Sequence, residues 1–194
     1  MNLSSRRLTI ALVAMVLVAG AGIMAWDFLQ LGRNVPALVS AESRADLIKV
    51  DKSARTLTLL RGTDIIKTYR VSLGSTPDGH KSREGDGRTP EGRYSVDSRN
   101  PRSRFHLGLH VSYPNAADRL NAQRQGVSPG GDIMIHGLPN GLSWLDRLHL
   151  RRDWTDGCVA VTNSEMKEIW AHVATGTAIE ILYPRRSVTW RTGW

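Results

Sequence analysis

The sequence predicts a mainly β protein with a few short helices, arranged as a single domain after an N-terminal apolar segment. The chain has 194 residues, which is enough for one domain with a sizeable core and short for two. Short stretches that alternate apolar with polar residues are separated by turn-forming residues, a pattern typical of antiparallel strands. Only three short segments have the character of helices.

The N-terminal segment has the features of an export signal. Residues 8–26 contain no charged side chain and follow Arg6 and Arg7. The uncharged run is longer than the apolar core of a signal peptide, roughly 7 to 15 residues, and close to the roughly 20 residues that span a bilayer. Ala19 and Ala21 still offer a small-x-small cleavage site. We expect a retained inner-membrane anchor or a cleaved signal peptide, with the domain in the periplasm or cell envelope.

Composition and charge divide the chain into four parts. Residues 1–27 form the signal peptide or anchor, 28–45 a linker that contains Pro36, 46–183 the folded domain and 184–194 a basic tail. The net charge is +8, from 26 Lys and Arg against 18 Asp and Glu. A basic surface favours an anionic partner such as cell wall or membrane headgroups. No basic run is interleaved with aromatic residues, so no nucleic-acid partner is expected.

Alternating segments predict the elements of the domain in order. An antiparallel meander is expected at 46–50, 56–60 and 65–71, followed by a long loop at 75–92 that is rich in Gly, Pro, Asp and charged residues. Ordered loops of this length are often functional. Further strands are expected at 94–97, 105–112, 133–135, 159–161 and 177–182, and short helices at 116–125, 142–150 and 164–173. Asn163 or Thr162 can cap the last helix, and Glu165 places a favourable negative charge in its first turn.

The only cysteine and a histidine stand in matching contexts. Cys158 follows Gly157 and precedes an apolar run, while His136 ends another apolar run and is followed by Gly137. Cysteine attacks as a thiolate, so a nucleophilic thiol needs a base such as imidazole, and a neighbouring glycine lets backbone N–H groups face an oxyanion. A lone cysteine is as commonly a small buried core residue. From these residues alone, both interpretations stay open.

A zinc site is the competing chemistry. His106 and His110 share one face of their predicted strand, and with His136 and Cys158 they could supply four ligands. No Cys-x-x-Cys or His-Glu-x-x-His spacing supports this interpretation. We therefore expect neither a metal nor an organic cofactor.

Three motifs in sequence order resemble the catalytic signature of the L,D-transpeptidases of the YkuD type. These motifs are residues 85–94, residues 136–137 and residues 155–159, and the resemblance covers roughly 46–183. It implies a β-sandwich or barrel-like domain, a cysteine acyl-enzyme formed on peptidoglycan stem peptides, no cofactor, and a role in cell wall biogenesis and cell shape.

The resemblance assigns roles to individual residues. Cys158 matches the nucleophile, His136 the general base, and Gly157 the preceding glycine that completes the oxyanion site. Gly137 matches the residue whose carbonyl orients the imidazole, and Thr155 stands where serine is commonest. Four further residues are candidates for contact with substrate: Ser112, Tyr113, Arg88 and Trp154.

Two departures make the chain more similar to the YafK-like branch of this family. Asp156 replaces the usual second histidine, and Ala160 with Val161 replaces the arginine or asparagine that commonly follows. Asp156 would raise the pKa of Cys158 if it pointed inward, so we expect it to point away or to pair with Arg151 or Arg152.

The departures leave the reaction outcome open. The branch includes a hydrolase that detaches the major outer-membrane lipoprotein from peptidoglycan. Alternatives to transpeptidation are therefore an L,D-carboxypeptidase or an amidase that releases wall-linked lipoprotein. A non-catalytic wall-binding module is a further alternative, although binding alone has no need of a thiol paired with His136.

Overall fold

The computed structural model describes residues 12–22, 25 and 35–184. Residues 12–22 and 25 are helical. Within the described residues, no helix has both the length and the apolar character needed to cross a membrane. The predicted export segment, the linker and the basic tail all extend outside the described residues.

Eight strands and two α-helices make up the domain. The strands are β1 (Leu47–Asp51), β2 (Thr56–Arg61), β3 (Asp64–Arg70), β4 (Gly92–Ser103), β5 (His106–Val111), β6 (Met134–His136), β7 (Val159–Ala160) and β8 (Ala178–Leu182). The helices are α1 (Ala116–Arg124) and α2 (Asn163–His172), and the 3-10 helices are Ala41–Ser43 and Ser143–Arg151. The strands form one sheet in the order β3-β2-β1-β8-β4-β5-β6-β7. The predicted fold class, mainly β with a few short helices, is confirmed.

The sheet curls until its two edges meet. Ser72, just after edge strand β3, donates its N–H to Ala160 of edge strand β7 at 2.9 Å, and the reciprocal bond is 2.8 Å long. Inside the curl, alternate residues such as Ile48 and Val50 of β1 are fully buried. This closure brings the segment after β3 beside the segment that carries the only cysteine.

Strand β4 is longer than its sequence pattern indicates. Its first residues pair with β8, and from Val96 onward it pairs with β5, with register irregularities between Val96 and Ser98 and between Asn100 and Ser103. The second half is largely exposed and contains Pro101, so it lacks the alternation that burial imposes. Backbone pairing with β5 forms this hairpin, which alternation in the sequence could not reveal.

The helix predicted at 142–150 is present as an interrupted 3-10 helix. Ser143–Arg151 forms 3-10 turns that are interrupted at Asp146, where φ is 37° and ψ is −122°. A non-glycine residue in that region breaks any continuous helix. Leu142, Leu145 and Leu148 nevertheless line one cavity together with Trp154.

Helix α2 has the capping predicted for it and connects to β6. Thr162 is the N-cap, and its hydroxyl and the Glu165 side chain form a reciprocal capping box. Asn163, the other candidate cap, instead accepts the N–H of Leu138 at 2.8 Å through its side chain. Met166 and Trp170 of α2 are buried in the core cluster. The helix therefore holds the segment after β6 in place.

Candidate active site

Parallel pairing of β6 with β7 brings the candidate thiol and imidazole to one cavity. Ile135 pairs with Val159 and His136 with Ala160, so Cys158 lies one step before the ladder. Met134 donates its N–H to Cys158 Sγ at 3.4 Å. His136 and Cys158 both line a cavity of about 510 Å³. Two residues far apart in sequence therefore face the same space.

Gly157 is required by the backbone of the cysteine turn, residues 155–158. Its φ is +122°, and an added Cβ would lie 2.5 Å from the carbonyl oxygen of Arg88. A side chain at this position would be strained in conformation and would also collide with backbone. Gly157 thus lets the turn close against the backbone of the long 75–92 loop.

Thr155 holds the same turn through its hydroxyl. The hydroxyl donates to the Cys158 carbonyl at 2.8 Å and accepts the Gly157 N–H at 3.2 Å. Thr155 is buried and lines the cavity. Its contacts stabilise the cysteine turn from within, a role that a serine hydroxyl could also fill.

His136 is a buried imidazole with a defined tautomer. Its Nδ1 lies 2.6 Å from the Gly137 carbonyl, which can only accept, so Nδ1 carries the proton and Nε2 has the free lone pair. Burial lowers the pKa of His136 to about 4, although the bond to Gly137 acts to raise it. At neutral pH the imidazole is therefore an uncharged base.

The thiol is also held in its neutral form. Burial raises the pKa of Cys158 above its ordinary value, while the Met134 N–H acts to lower it and the charge of Asp156 adds to the increase. At rest the thiol of Cys158 donates to the Asp132 carbonyl at 3.7 Å.

Asp156 is exposed and lines the cavity. Within the described residues it forms no ion pair with Arg151 or Arg152, so the expected partner is not used. The neighbouring Asp153 instead pairs with Arg55 at 2.8 Å. The charge of Asp156 therefore acts on the cavity.

The candidate substrate contacts fall into two groups. Trp154 lines the cavity and meets the His136 ring edge-on, with centroids 5.9 Å apart. Ser112 accepts the Ser95 N–H, and buried Tyr113 donates its hydroxyl to the Pro129 carbonyl. In the described part of the chain, neither Ser112 nor Tyr113 lines the cavity.

Arg88 and Gly137 contribute to the site through their backbones. The carbonyl of Arg88 faces Gly157, and that of Gly137 accepts the His136 proton. A Cβ on Gly137 would lie 2.5 Å from Asn163 Oδ1, so glycine permits the close packing of β6 on α2. Neither residue is among the described residues that line the cavity.

Two buried lysines hold the long loop in place. Lys52 donates to the carbonyls of Gly79 and Thr89 and pairs with Glu91 at 2.8 Å. Lys81 pairs with Asp86 at 2.9 Å. Sequence inspection missed these lysines because a buried lysine looks like any surface lysine until its carboxylate partner is known. Their bonds fix the backbone that meets Gly157.

The β4–β5 hairpin supplies cavity residues that the sequence did not reveal. Phe105 packs on His136, with ring centroids 4.5 Å apart, and Arg102 and Arg104 also line the cavity. Phe105 was expected only as the start of a strand. Its lone aromatic ring among polar residues is the one signal that could have suggested a contact.

The histidines considered for a metal have other partners. His110 Nδ1 lies 2.6 Å from Asp97 Oδ1. Across residues 12–22, 25 and 35–184, no three His, Cys, Asp or Glu side chains group in a way that could hold a metal ion. The structure thus brings His136 and Cys158 together without His106 and His110.

Comparison with known proteins assigns the family. The model of the YkuD family, described as the L,D-transpeptidase catalytic domain, matches residues 45–181. The chain belongs to the YkuD family. The resemblance seen in the sequence motifs is therefore confirmed.

Curated relatives of this YkuD domain are found in Escherichia coli. The protein named "Putative L,D-transpeptidase YafK" in strain K12 is 31% identical over 138 residues, covering 68% of this chain and 48% of the relative. The protein of the same name in strain O157:H7 has the same values. The chain thus spans about half the length of the curated relatives it matches.

Solved structures share the YkuD fold. Bd1075 of Bdellovibrio bacteriovorus is 28% identical with a TM-score of 0.51, covering 76% of this chain and 51% of that protein. The helical cell shape determining protein Pgp2 of Campylobacter jejuni is 23% identical with a TM-score of 0.57, covering 84% of this chain and 56% of that protein. The second likeness concerns the fold alone.

Proposed function

We propose that this YkuD protein is an exported cysteine enzyme that remodels the cell wall by acyl transfer on peptidoglycan stem peptides. The observation that carries the proposal is the bond from His136 Nδ1 to the Gly137 carbonyl, in the cavity that also holds Cys158. This bond leaves His136 Nε2 as the base for a neutral thiol. Membership of the L,D-transpeptidase family supports stem peptides as the substrate class.

The first half-reaction forms a thioester. Cys158 Sγ attacks a stem-peptide carbonyl carbon while His136 Nε2 accepts the thiol proton. The C–N bond of the tetrahedral intermediate then breaks, and His136 returns the proton to the departing amine. The donor peptide stays bound to sulfur as an acyl-enzyme.

The second half-reaction releases the enzyme. An acceptor amine attacks the thioester carbon and loses a proton to His136, a new C–N bond forms, and the C–S bond breaks. The proton then passes from His136 to sulfur, which restores the neutral thiol. The net result exchanges one amine for another on the donor carbonyl.

The oxyanion of both intermediates needs an N–H donor. Gly157 N–H already donates to Thr155 Oγ1, so we assign this role to the N–H of Cys158. Gly157 then acts by shaping the turn. Gly157 and Cys158, the two residues expected to form the oxyanion site, therefore have different tasks.

Hydrolysis is the second outcome of the same thioester. If water replaces the acceptor amine, the enzyme becomes an L,D-carboxypeptidase or an amidase that releases wall-linked lipoprotein. The exposed carboxylate of Asp156 lines the cavity and can accept a proton from water. The donor and acceptor present in the assay decide between these outcomes.

Product analysis tests the proposal. The protein is incubated with disaccharide tetrapeptide, with and without an acceptor amine, and the products and intact protein are weighed by mass spectrometry. We expect a thioester on Cys158, a cross-linked product with amine, and no turnover by Cys158→Ala. Full activity of Cys158→Ala would refute the cysteine nucleophile, whereas absence of turnover by the wild-type protein together with failure of Cys158 to react with a thiol probe would favour a wall-binding module.

Export is part of the proposal because stem peptides lie outside the cytoplasmic membrane. Residues 1–45, fused to a reporter that is active only after export, should yield reporter activity in a bacterial host. The same reporter fused to residues 46–194 should remain inactive. Equal activity of the two fusions would contradict export by the N-terminal segment.

A further inference from the structure

Part of the lining of the cavity that holds Cys158 is basic. Arg102 and Arg104 at the tip of the β4–β5 hairpin line the cavity and are exposed. Neither forms an ion pair with any described residue. Two uncommitted guanidinium groups therefore face the space in which the thiol reacts.

The backbone that carries these arginines is held rigidly. Arg102 N–H donates to Asn100 Oδ1 at 2.9 Å. Asn140, in the segment after β6, donates to the Ser103 carbonyl at 3.1 Å and to the Arg104 carbonyl at 2.9 Å. The hairpin tip is therefore tied to the segment that follows the catalytic histidine.

Phe105 fixes the hairpin to the imidazole itself. Its N–H donates to Ser103 Oγ at 3.0 Å, and its ring packs on His136 with centroids 4.5 Å apart. Arg104 directly precedes this contact. These contacts thus set the backbone positions of both arginines relative to His136 before substrate binds.

The part of the cavity lining beside Cys158 is acidic. Asp132 and Asp156 line the cavity on the side of Cys158, and the Asp132 side chain is 94% exposed. Ala160 and Val161, which follow the cysteine turn, are fully buried and apolar, so they supply no cation to the cavity. The two aspartates repel a carboxylate that enters this cavity, and the two arginines of the hairpin attract it.

We propose that Arg102 and Arg104 form a carboxylate-binding subsite that orients an acidic acyl-donor peptide with its scissile carbonyl toward Cys158. Paired guanidinium groups suit this task because their planar N–H donors match the two oxygens of a carboxylate. The proposal rests on the proposed function for its choice of peptide. It adds the chemical group that the enzyme recognises.

The test pairs arginine variants with amidated peptides. The variants are Arg102→Ala, Arg104→Ala, the double alanine variant and the double lysine variant, with Arg124→Ala on α1 as an exposed arginine outside the cavity. The substrates are disaccharide tetrapeptide and analogues in which one carboxylate at a time is a primary amide. Initial rates give kcat and KM for each combination.

For one amidated analogue, the kcat/KM of the wild-type enzyme should be about 10- to 100-fold lower than for the parent peptide, the range expected for loss of a hydrogen bond to a charged group. The double alanine variant should show the same loss on the parent peptide and no longer distinguish that analogue. Arg124→Ala should match wild type. Alkylation of Cys158 by neutral iodoacetamide should be unchanged in the double variant, which separates a lost subsite from a damaged active site.

Binding to the inert Cys158→Ala protein keeps this test independent of turnover. Calorimetry should show that the parent peptide binds more tightly than the critical analogue, and that the double arginine substitution removes this difference. If the variants retain full selectivity in both assays, the subsite is refuted. If selectivity in binding depends on the arginines but wild-type enzyme cleaves no peptide, the subsite stands and the proposed function fails.

Discussion

Replacement of Thr155 by valine should destabilise the cysteine turn without changing the size or branching of the side chain. Valine keeps the branched side chain but removes the hydroxyl that bonds the Cys158 carbonyl and the Gly157 N–H. Each such bond contributes about 1 kcal/mol, so Thr155→Val should lose about 2 kcal/mol of unfolding free energy. For a chain of this length that corresponds to a fall in Tm of about 4 to 8 °C.

Thr155→Ser is the matched control. Serine keeps the hydroxyl and removes one methyl group, a loss of about 0.8 kcal/mol. Thermal unfolding and the rate of Cys158 acylation by stem peptide should both be measured, because the turn also positions the oxyanion N–H. We expect acylation to fall at least about tenfold in Thr155→Val, in line with about 1.4 kcal/mol of lost transition-state stabilisation, and to stay near wild type in Thr155→Ser. Equal stability and equal acylation of the two variants would show that the hydroxyl does not hold the turn.

Three other predictions follow from the same geometry. The pKa of His136 is about 4 in the folded protein and near its ordinary value of 6.5 in the unfolded chain. Between these two pH values the unfolded state binds more protons, so the free energy of unfolding decreases as pH falls from 6.5 to 4. Urea unfolding at pH 7 and 4.5 should show a loss in wild type roughly 2 to 3 kcal/mol larger than in His136→Gln, and equal losses would contradict the buried neutral imidazole. Gly157→Ala should lower the free energy of unfolding by at least about 2 kcal/mol, because its φ is positive and its Cβ would collide with the Arg88 carbonyl. Gly131→Ala is the control and should change the Tm little, since nothing lies within 4 Å of its Cβ. Similar effects of the two substitutions would argue against a strained turn at Gly157. Phe105→Ala should expose the His136 ring and raise its pKa, so the acid limb of the pH–acylation profile should move to higher pH, and an unmoved limb would mean that Phe105 does not shield the base.

Alternation in the sequence predicted most of the sheet because burial imposes it. Strands such as β1 and β2 place every second side chain in the core, and their positions match the expected segments closely. A helix was predicted at 142–150, but its 3-10 form and its interruption at Asp146 were not. The outer half of β4 was missed because it has no buried face with a regular period. Local pattern carries no information about an element that backbone pairing alone maintains.

Cys158 and His136 could be singled out from the sequence because each has a glycine as its immediate neighbour in the chain. Gly157 and Gly137 each mark a place where backbone must pack closely, and the structure gives the colliding atoms for both. The sequence did not reveal which other residues line the cavity with Cys158 and His136. Ser112 and Tyr113 contact other parts of the fold, while the β4–β5 hairpin occupies the cavity wall.

By itself, the sequence determined the mainly β class and the family, and it singled out Cys158 and His136 as candidates, because each depends on residues close together in the chain or on motif order. Only the tertiary structure decided the charge states and the surroundings of that pair. Burial, the Gly137 carbonyl and the basic hairpin act on it through contacts between distant segments. Those contacts exist only once the sheet has curled and its edges have met at Ser72 and Ala160.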